Sequence, residues 1–206
     1  MPTSSQSMNQ PAPAAEASAP VRRLRRAERR EQILAAATQA FARSGFAATG
    51  LDDIATAAGV SRAILYRHFD SKTDLYRAVL DRACTRLADA VGTANFTAAS
   101  IDALVGTAAA DPDGFRLLFH HAAREPEFRA EMDRFHTAMV TVARRELAAM
   151  IPNRPWAAWA ARLAPTVAVE AVMAWLDAGQ PDRDQAAQRI GQALDGIIRA
   201  AQPSTE

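Results

Sequence analysis

The 206-residue sequence predicts an all-α protein, and three observations carry that expectation. Apolar residues recur at three- and four-residue spacing through most of the chain beyond residue 24. No stretch shows credible strand alternation. Helix-start residues stand directly ahead of the periodic runs: Ser61, Ser71, the Asp111-Pro112 pair and Asp182. The expected architecture is a small N-terminal three-helix unit succeeded by a larger helical domain.

Residues 1–20, MPTSSQSMNQPAPAAEASAP, stand outside this pattern. They are rich in Ser, Pro, Ala and Gln and cannot bury enough apolar surface to order themselves, so residues 1–21 are expected to be a disordered tail. The tail runs into VRRLRRAERR, where Arg22, Arg23, Arg25, Arg26, Arg29 and Arg30 crowd together. A basic arm of this kind can follow a nucleic-acid backbone or simply form a solvated helix start. The first helix is expected from about Leu24 to Ser44, with Ile33, Ala37 and Phe41 on one face and Gly45 as its stop. Phe46 and Leu51 would close a small core behind it.

Residues 49–72, TGLDDIATAAGVSRAILYRHFDSK, read as a helix-turn-helix. Ala55 lets two helices approach closely, Gly59 supplies the positive φ of a tight turn, and Leu65 is buried between them. Thr49 with Asp52 is expected to form a capping box for the first helix, and Ser61 is a good N-cap for the second. Once Leu65 and Phe69 turn inward, the second helix presents Arg62, Ala63, Ile64, Tyr66, Arg67 and His68 outward. An arginine can reach a guanine edge or a phosphate, and an isoleucine can touch a thymine methyl. Tyr66 and His68 can donate to phosphate oxygens. Ser71 with Asp74 makes a further capping box, and Lys72 behind it suits a phosphate at a helix N-terminus. With the basic arm, the expected DNA contacts are therefore Thr49, Ser61, Arg62, Ala63, Ile64, Tyr66, Arg67, His68, Lys72, Arg22, Arg23, Arg25 and Arg26.

A fourth helix, from about Lys72 to Gly92, places Leu75, Val79, Ala83, Leu87 and Val91 at four-residue intervals. It is long enough to link the reading unit to the C-terminal helices. Cys84, the only cysteine, falls on its apolar stripe and reads as a small core residue. Asp111-Pro112 opens the next helix, and Glu125-Pro126 restarts the chain into a long one reaching about Met150. That helix turns Phe128, Met132, Phe135, Met139 and Val142 inward. Another runs from about Pro155 to Ala178, with a kink expected at Pro165. Asp182 caps the last, striped with Ile190, Leu194, Ile197 and Ile198.

The stretch AFARSGFAATGLDDIATAAGVSRAILYRHFDSKTDLYRAVL, within residues 28–80, resembles the N-terminal DNA-binding domain of the TetR family of bacterial transcriptional regulators. The likeness includes a helix before and a helix after the reading unit. It implies an all-α homodimer with a variable C-terminal ligand domain. Ile64 departs from the family pattern, which commonly has a small polar residue such as Thr there. The implied division is a helix-turn-helix domain at 22–71 and a helical ligand-binding and dimerisation domain at 72–202.

Charge fits that division. From Arg22 to Arg82 there are 12 basic and 7 acidic residues, against 12 and 15 from Ala83 onward, although the whole chain carries only +1. Positive charge thus gathers at the reading unit, as phosphate binding requires. A ligand pocket is expected within residues 75–150 beside the last helices, lined by Phe115, Phe119, Met132, Phe135, His136, Met139 and Trp159, and suited to a hydrophobic small molecule. The expected dimer interface comprises Trp159, Leu163, Val167, Val172, Trp175, Ile190, Leu194 and Ile197.

Cofactors and metals are not expected: adjacent His120 and His121 point apart on a helix, and no ligand-spaced cluster stands nearby. No nucleophile-and-base arrangement or phosphate-cradling glycine loop supports an all-α enzyme. No apolar run is long enough to span a bilayer, and the first residues lack the form of a secretion signal, so a cytoplasmic protein without membrane partners is expected. The partners are then operator DNA, a second copy of the chain and an unknown small-molecule effector. The leading expectation is a repressor released from DNA by a hydrophobic ligand. A ligand-independent regulator or an activator built on the same DNA-binding unit is the alternative.

Overall fold

The computed structural model describes residues 26–92 and 98–203. The expected tail and Arg22, Arg23 and Arg25 lie outside the described residues. Regular structure among the described residues is entirely helical: α1 (Arg26–Ala48), α2 (Leu51–Ala57), α3 (Arg62–Tyr66), α4 (Lys72–Val91), α5 (Ala98–Ala110), α6 (Pro112–Arg116), α7 (Arg129–Met150), α8 (Arg154–Asp177) and α9 (Arg183–Ala201). From α6 the chain continues through a π turn at Leu117–His121 and a 3-10 turn at Ala122–Arg124. The all-α expectation is met.

In α1–α3 the core is Ile33, Leu34, Ala37, Phe41, Ile54, Leu65 and Phe69. Gly45 interrupts α1 at φ 75°, and Gly59 makes the α2–α3 turn at φ 62°, values that cost an L side chain about 1–2 kcal/mol. Ser61 caps α3 by accepting from the Ile64 N–H at 3.3 Å.

Two capping expectations need correction. Thr49 does not cap α2. The break at Gly45 leaves α1 carbonyls facing inward, and the buried Thr49 hydroxyl is directed at those of Ala40 (3.2 Å) and Gly45 (2.7 Å). The N-cap therefore falls on Gly50, whose N–H donates to Asp53 at 3.3 Å. At α4, Ser71 accepts from the Asp74 N–H at 3.0 Å, but the Asp74 carboxylate accepts from Asp70 rather than from Ser71.

The helix α4 packs against both α1 and α5. Where α1, α4 and the approach to α7 meet, Phe41, Phe46, Tyr76 and Phe128 form a ring cluster. The Phe41–Tyr76, Phe46–Tyr76, Phe46–Phe128 and Tyr76–Phe128 centroids are 4.8, 5.0, 5.2 and 4.5 Å apart. Burial, with the nearby charge of Glu125, pushes the Tyr76 phenol above its ordinary range, so Tyr76 stays neutral and acts as a packing ring.

In the C-terminal part α7 packs against α8, α8 against α9, and α5 against α9. Asp111 caps α6, accepting from the Gly114 N–H at 2.9 Å, and Asp182 caps α9. The helix α8 continues through the buried Pro165. The helix α5 has no counterpart in the sequence expectation, because AASIDALVGTAAA offers few bulky residues to mark a face. No helix among the described residues is long and apolar enough to cross a membrane.

Candidate nucleic-acid interface and ligand cavity

The short α3 presents its side chains according to which residues the core consumes. Leu65 and Phe69 are buried, so Ser61, Arg62, Ala63, Tyr66 and Arg67 are exposed, with Ile64 and His68 half-buried. Arg62 donates to Asp52 at 2.9 Å and to the Tyr66 hydroxyl at 3.4 Å, with its guanidinium 5.6 Å from the Tyr66 ring centroid. The Tyr66 hydroxyl first and Asp52 second favour its charged form. The ion pair is solvent-exposed on both sides and therefore weak enough for a competing anion to open.

Arg26 begins α1 on the same side as the end of α3: Arg26, Arg29, Arg67 and His68 line one open notch. Arg29 was not among the residues expected at DNA, although the crowding of arginines in its segment was the available signal.

Two of the expected DNA contacts are spent inside the protein. Thr49 is 4% exposed and bonded to α1 carbonyls. Lys72 does not stand free at a helix N-terminus. Its ammonium donates to the carbonyls of Phe46 (2.9 Å), Ala47 (3.2 Å) and Thr49 (3.2 Å), and sits 4.6 Å from the Phe46 ring centroid. The reason is local: the last turn of α1 holds no basic residue, so its orphan carbonyls are satisfied from α4.

At the far end of α4 lies an apolar cavity of about 200 Å³. Leu87 and Val91 of α4, Ile101 and Leu104 of α5, Phe135, Met139 and Val142 of α7, Val169 of α8 and Leu194 of α9 contribute to its walls. Of the expected lining only Phe135 and Met139 are there. One helical step from Phe135, His136 faces solvent. Phe115, Phe119 and Met132 are taken up in packing, with Phe119 stacked between Phe115 (4.7 Å) and Phe135 (6.0 Å). Trp159 is 40% exposed on the outside of α8. The α4 and α5 contributions escaped notice because a helix stripe alone does not say which of its apolar residues face a void.

The expected dimer residues divide similarly. Val172, Trp175, Ile190 and Leu194 are buried in the core of one chain. The Trp175 indole donates to the Pro181 carbonyl at 2.7 Å. Trp159, Leu163, Val167 and Ile197 keep surface, and Trp156, 49% exposed, stacks edge-on to Trp159 at 5.6 Å.

Between the two ends of α4, charges tie it to both neighbours. Arg82 donates to Glu31 of α1 at 2.9 Å and to Asp111 of the α6 cap at 3.5 Å, while Arg86 donates to the same Asp111 oxygen at 3.3 Å. Burial first, then the charge of Asp81, pushes the Cys84 thiol up to about 11, so it remains an unreactive packing group.

A family profile described as "Bacterial regulatory proteins, tetR family" matches residues 33–79. The HTH-type transcriptional activator FasR of Mycolicibacterium smegmatis is 40% identical over 119 residues, covering 53% of this chain and 54% of that protein. The HTH-type transcriptional repressor BepR of Brucella suis is 44% identical over 57 residues, 28% of this chain and 27% of that one. The chain thus spans about half and about a quarter of the length of these relatives. The crystal structure of a TetR-like transcriptional regulator from Rhodococcus sp. RHA1 shares the fold, with TM-score 0.73 at 20% identity over 86% of this chain and 97% of that one.

Replacing Lys72 with Met should lower stability in urea unfolding by about 1–3 kcal/mol, because three carbonyls, two of them in part-buried bonds, lose their donor. The salt dependence of DNA binding should barely change. Unchanged stability with a shallower salt dependence would return Lys72 to phosphate contact.

Proposed function

The chain belongs to the TetR family of bacterial transcriptional regulators, and from that premise we propose that it is a homodimeric, ligand-controlled repressor of operator DNA. It is read as a binding protein rather than an enzyme, acting in the cytoplasm. In this reading residues 22–71 form the DNA-binding domain and 72–202 the regulatory one. The α3 helices of two copies enter successive major grooves, which requires a spacing of about 34–36 Å or a multiple-turn equivalent. Ser61, Arg62, Ala63, Ile64, Tyr66, Arg67 and His68 face the duplex, with Arg26 and the arginines before it on the backbone.

Ligand control is carried by one observation: a single helix lines the cavity and holds the reading unit. At one end of α4, Leu87 and Val91 are cavity wall; at the other, Lys72 and Tyr76 are built into the packing of α1. The 20 residues of α4 form a rod about 30 Å long. A ligand that pushes α4 outward at the cavity must move the reading unit or break the Arg82 and Arg86 bridges. Among the described residues the lining contains no ionisable side chain, which favours a hydrophobic effector. An activator is the second reading, favoured by the likeness to FasR; promoter fusions with and without the gene separate the two.

The test is gel retardation on DNA from upstream of the protein's own gene, with and without a panel of hydrophobic aromatic and aliphatic compounds. A compound that binds tightly yet leaves DNA affinity unchanged refutes the coupling. Ala138→Trp, at the cavity edge, should abolish the response to an active compound while leaving DNA retardation intact. Arg62→Ala should relax sequence preference at one base position, on the order of tenfold, with little loss on random DNA. Equal loss on both would assign Arg62 to phosphate. Leu163→Arg, on the exposed face of α8, should yield monomers in sedimentation and lose retardation, whereas a dimer that persists places the interface elsewhere.

A further inference from the structure

The notch between the start of α1 and the end of α3 is lined by Arg26, Arg29, Arg67 and His68. Three cations around one imidazole are more than loose surface charge, because one of them is held in place. The Arg29 guanidinium donates to the Gln32 carbonyl oxygen at 2.9 Å, and the Gln32 amide donates in turn to the Ala58 carbonyl at 2.7 Å. That carbonyl closes α2, so the relay fixes Arg29 relative to the helix-turn-helix itself. Beside it, Arg30 stacks its guanidinium 4.6 Å from the centroid of Phe69, the buried ring next to His68 in the chain. Two neighbouring arginines of α1 are thus pinned to the reading unit, one by hydrogen bonds and one by an aromatic face. An open hollow lined by three cations, one of them pinned, matches a phosphate-type anion, and beside α3 the available source is the DNA backbone.

We propose that this notch is a seat for one backbone phosphate of the bound duplex, and that filling it draws a proton onto His68. The inference rests on the DNA-binding reading and extends it to Arg29 and to pH. In the free protein, burial first and then the charges of Arg26, Arg30 and Arg29 hold the His68 imidazole below its ordinary value. Arg67, the other charge on the notch, belongs to the same turn. A seated phosphate offsets those positive charges and offers an acceptor to the imidazolium, so His68 titrates higher in the complex than in the free protein. The complex therefore binds more protons, and affinity rises as pH falls from the bound-state value toward the free-state value. Below the free-state value both forms are protonated and the dependence flattens.

The experiment uses the full chain and a mixed-sequence duplex about 30 base pairs long, three helical turns, since phosphate contacts are independent of sequence. Fluorescence anisotropy at several salt concentrations, between about pH 6 and pH 8, gives affinity and salt slope. Calorimetry in two buffers of different ionisation heat gives the protons taken up. Wild type should bind several-fold tighter at the acid end and take up protons. His68→Gln should bind with a flat profile and no uptake. Arg29→Ala, checked for folding by its thermal melt, should lower the salt slope by about one ion per seat. A His68→Gln profile that still tracks wild type, or an Arg29→Ala slope equal to wild type, overturns the seat while leaving DNA binding itself in place. A wild-type chain that fails to bind any duplex overturns the DNA-binding reading as well.

Discussion

Four aromatic rings hold this molecule's two ends in one piece. Phe41 and Phe46 come from α1, Tyr76 from α4 and Phe128 from the approach to α7. Each close ring pair contributes about 1 kcal/mol beyond its burial, so the cluster is worth several kcal/mol. That is a large share of the roughly 5–15 kcal/mol typical of a whole domain. Tyr76 takes part at some cost: its hydroxyl is buried without a hydrogen-bond partner among the described residues. The shape and area of the ring outweigh that cost. Lys72 sits at the edge of the same cluster, over the face of Phe46, and ties the end of α1 to the start of α4 through three carbonyls. The helix α3, only five residues long, is seated instead by its packing against α2 and by the buried Leu65.

The second half of α4 is held by a different kind of force. Around Arg82 the links are charge-assisted hydrogen bonds, reaching Glu31 on one side and Asp111 on the other, and beyond them the helix borders an apolar void. A close-packed aromatic joint resists sliding, whereas the bridges here are partly open to water on the Glu31 and Arg86 side and can exchange those partners at little cost. Stiffness at the reading end and compliance at the cavity end is the distribution that a lever needs. A displacement introduced at Leu87 or Val91 would be absorbed first at the bridges and then delivered through the rings.

Much of this was legible in the residues, and the exceptions have physical causes. Ala55, Gly59, Leu65 and Phe69 behaved as their spacing dictated, since packing, turn and period all constrained them at once. Caps at Ser61, Ser71, Asp111 and Asp182 were readable because a short polar side chain before an apolar run has few other uses. Thr49 and Lys72 misled because the orphan carbonyls they satisfy arise from the break at Gly45, and no linear pattern shows where those carbonyls point. The cavity was legible as a region but not as a lining. A void is a property of how five helices diverge, and α5, one of the five, carries almost no periodic mark. The expected dimer residues divide between core and surface for a related reason. Two apolar helices in sequence do not say which face each turns to the other, and Val172, Trp175, Ile190 and Leu194 were needed at home.

Spacing rules could make no use of the basic run ahead of α1. Counted as charge, six arginines between Arg22 and Arg30 look like a solvated arm. Placed in three dimensions, Arg29 and Arg30 differ from that picture. Arg29 is fixed through Gln32 to the end of α2 and Arg30 lies on Phe69, so each of these two carries its charge at a set distance from α3. A flexible cation gains little from a phosphate after the entropy of ordering its side chain is subtracted, whereas a pinned one has that cost met by folding. Pinning has a second consequence for His68, whose imidazole is held below its ordinary value by burial first and then by these like charges. In the proposed complex α3 meets the bases while the grip on the backbone is prepared by α1, and preparation of that kind would leave its signature in protons as well as in salt.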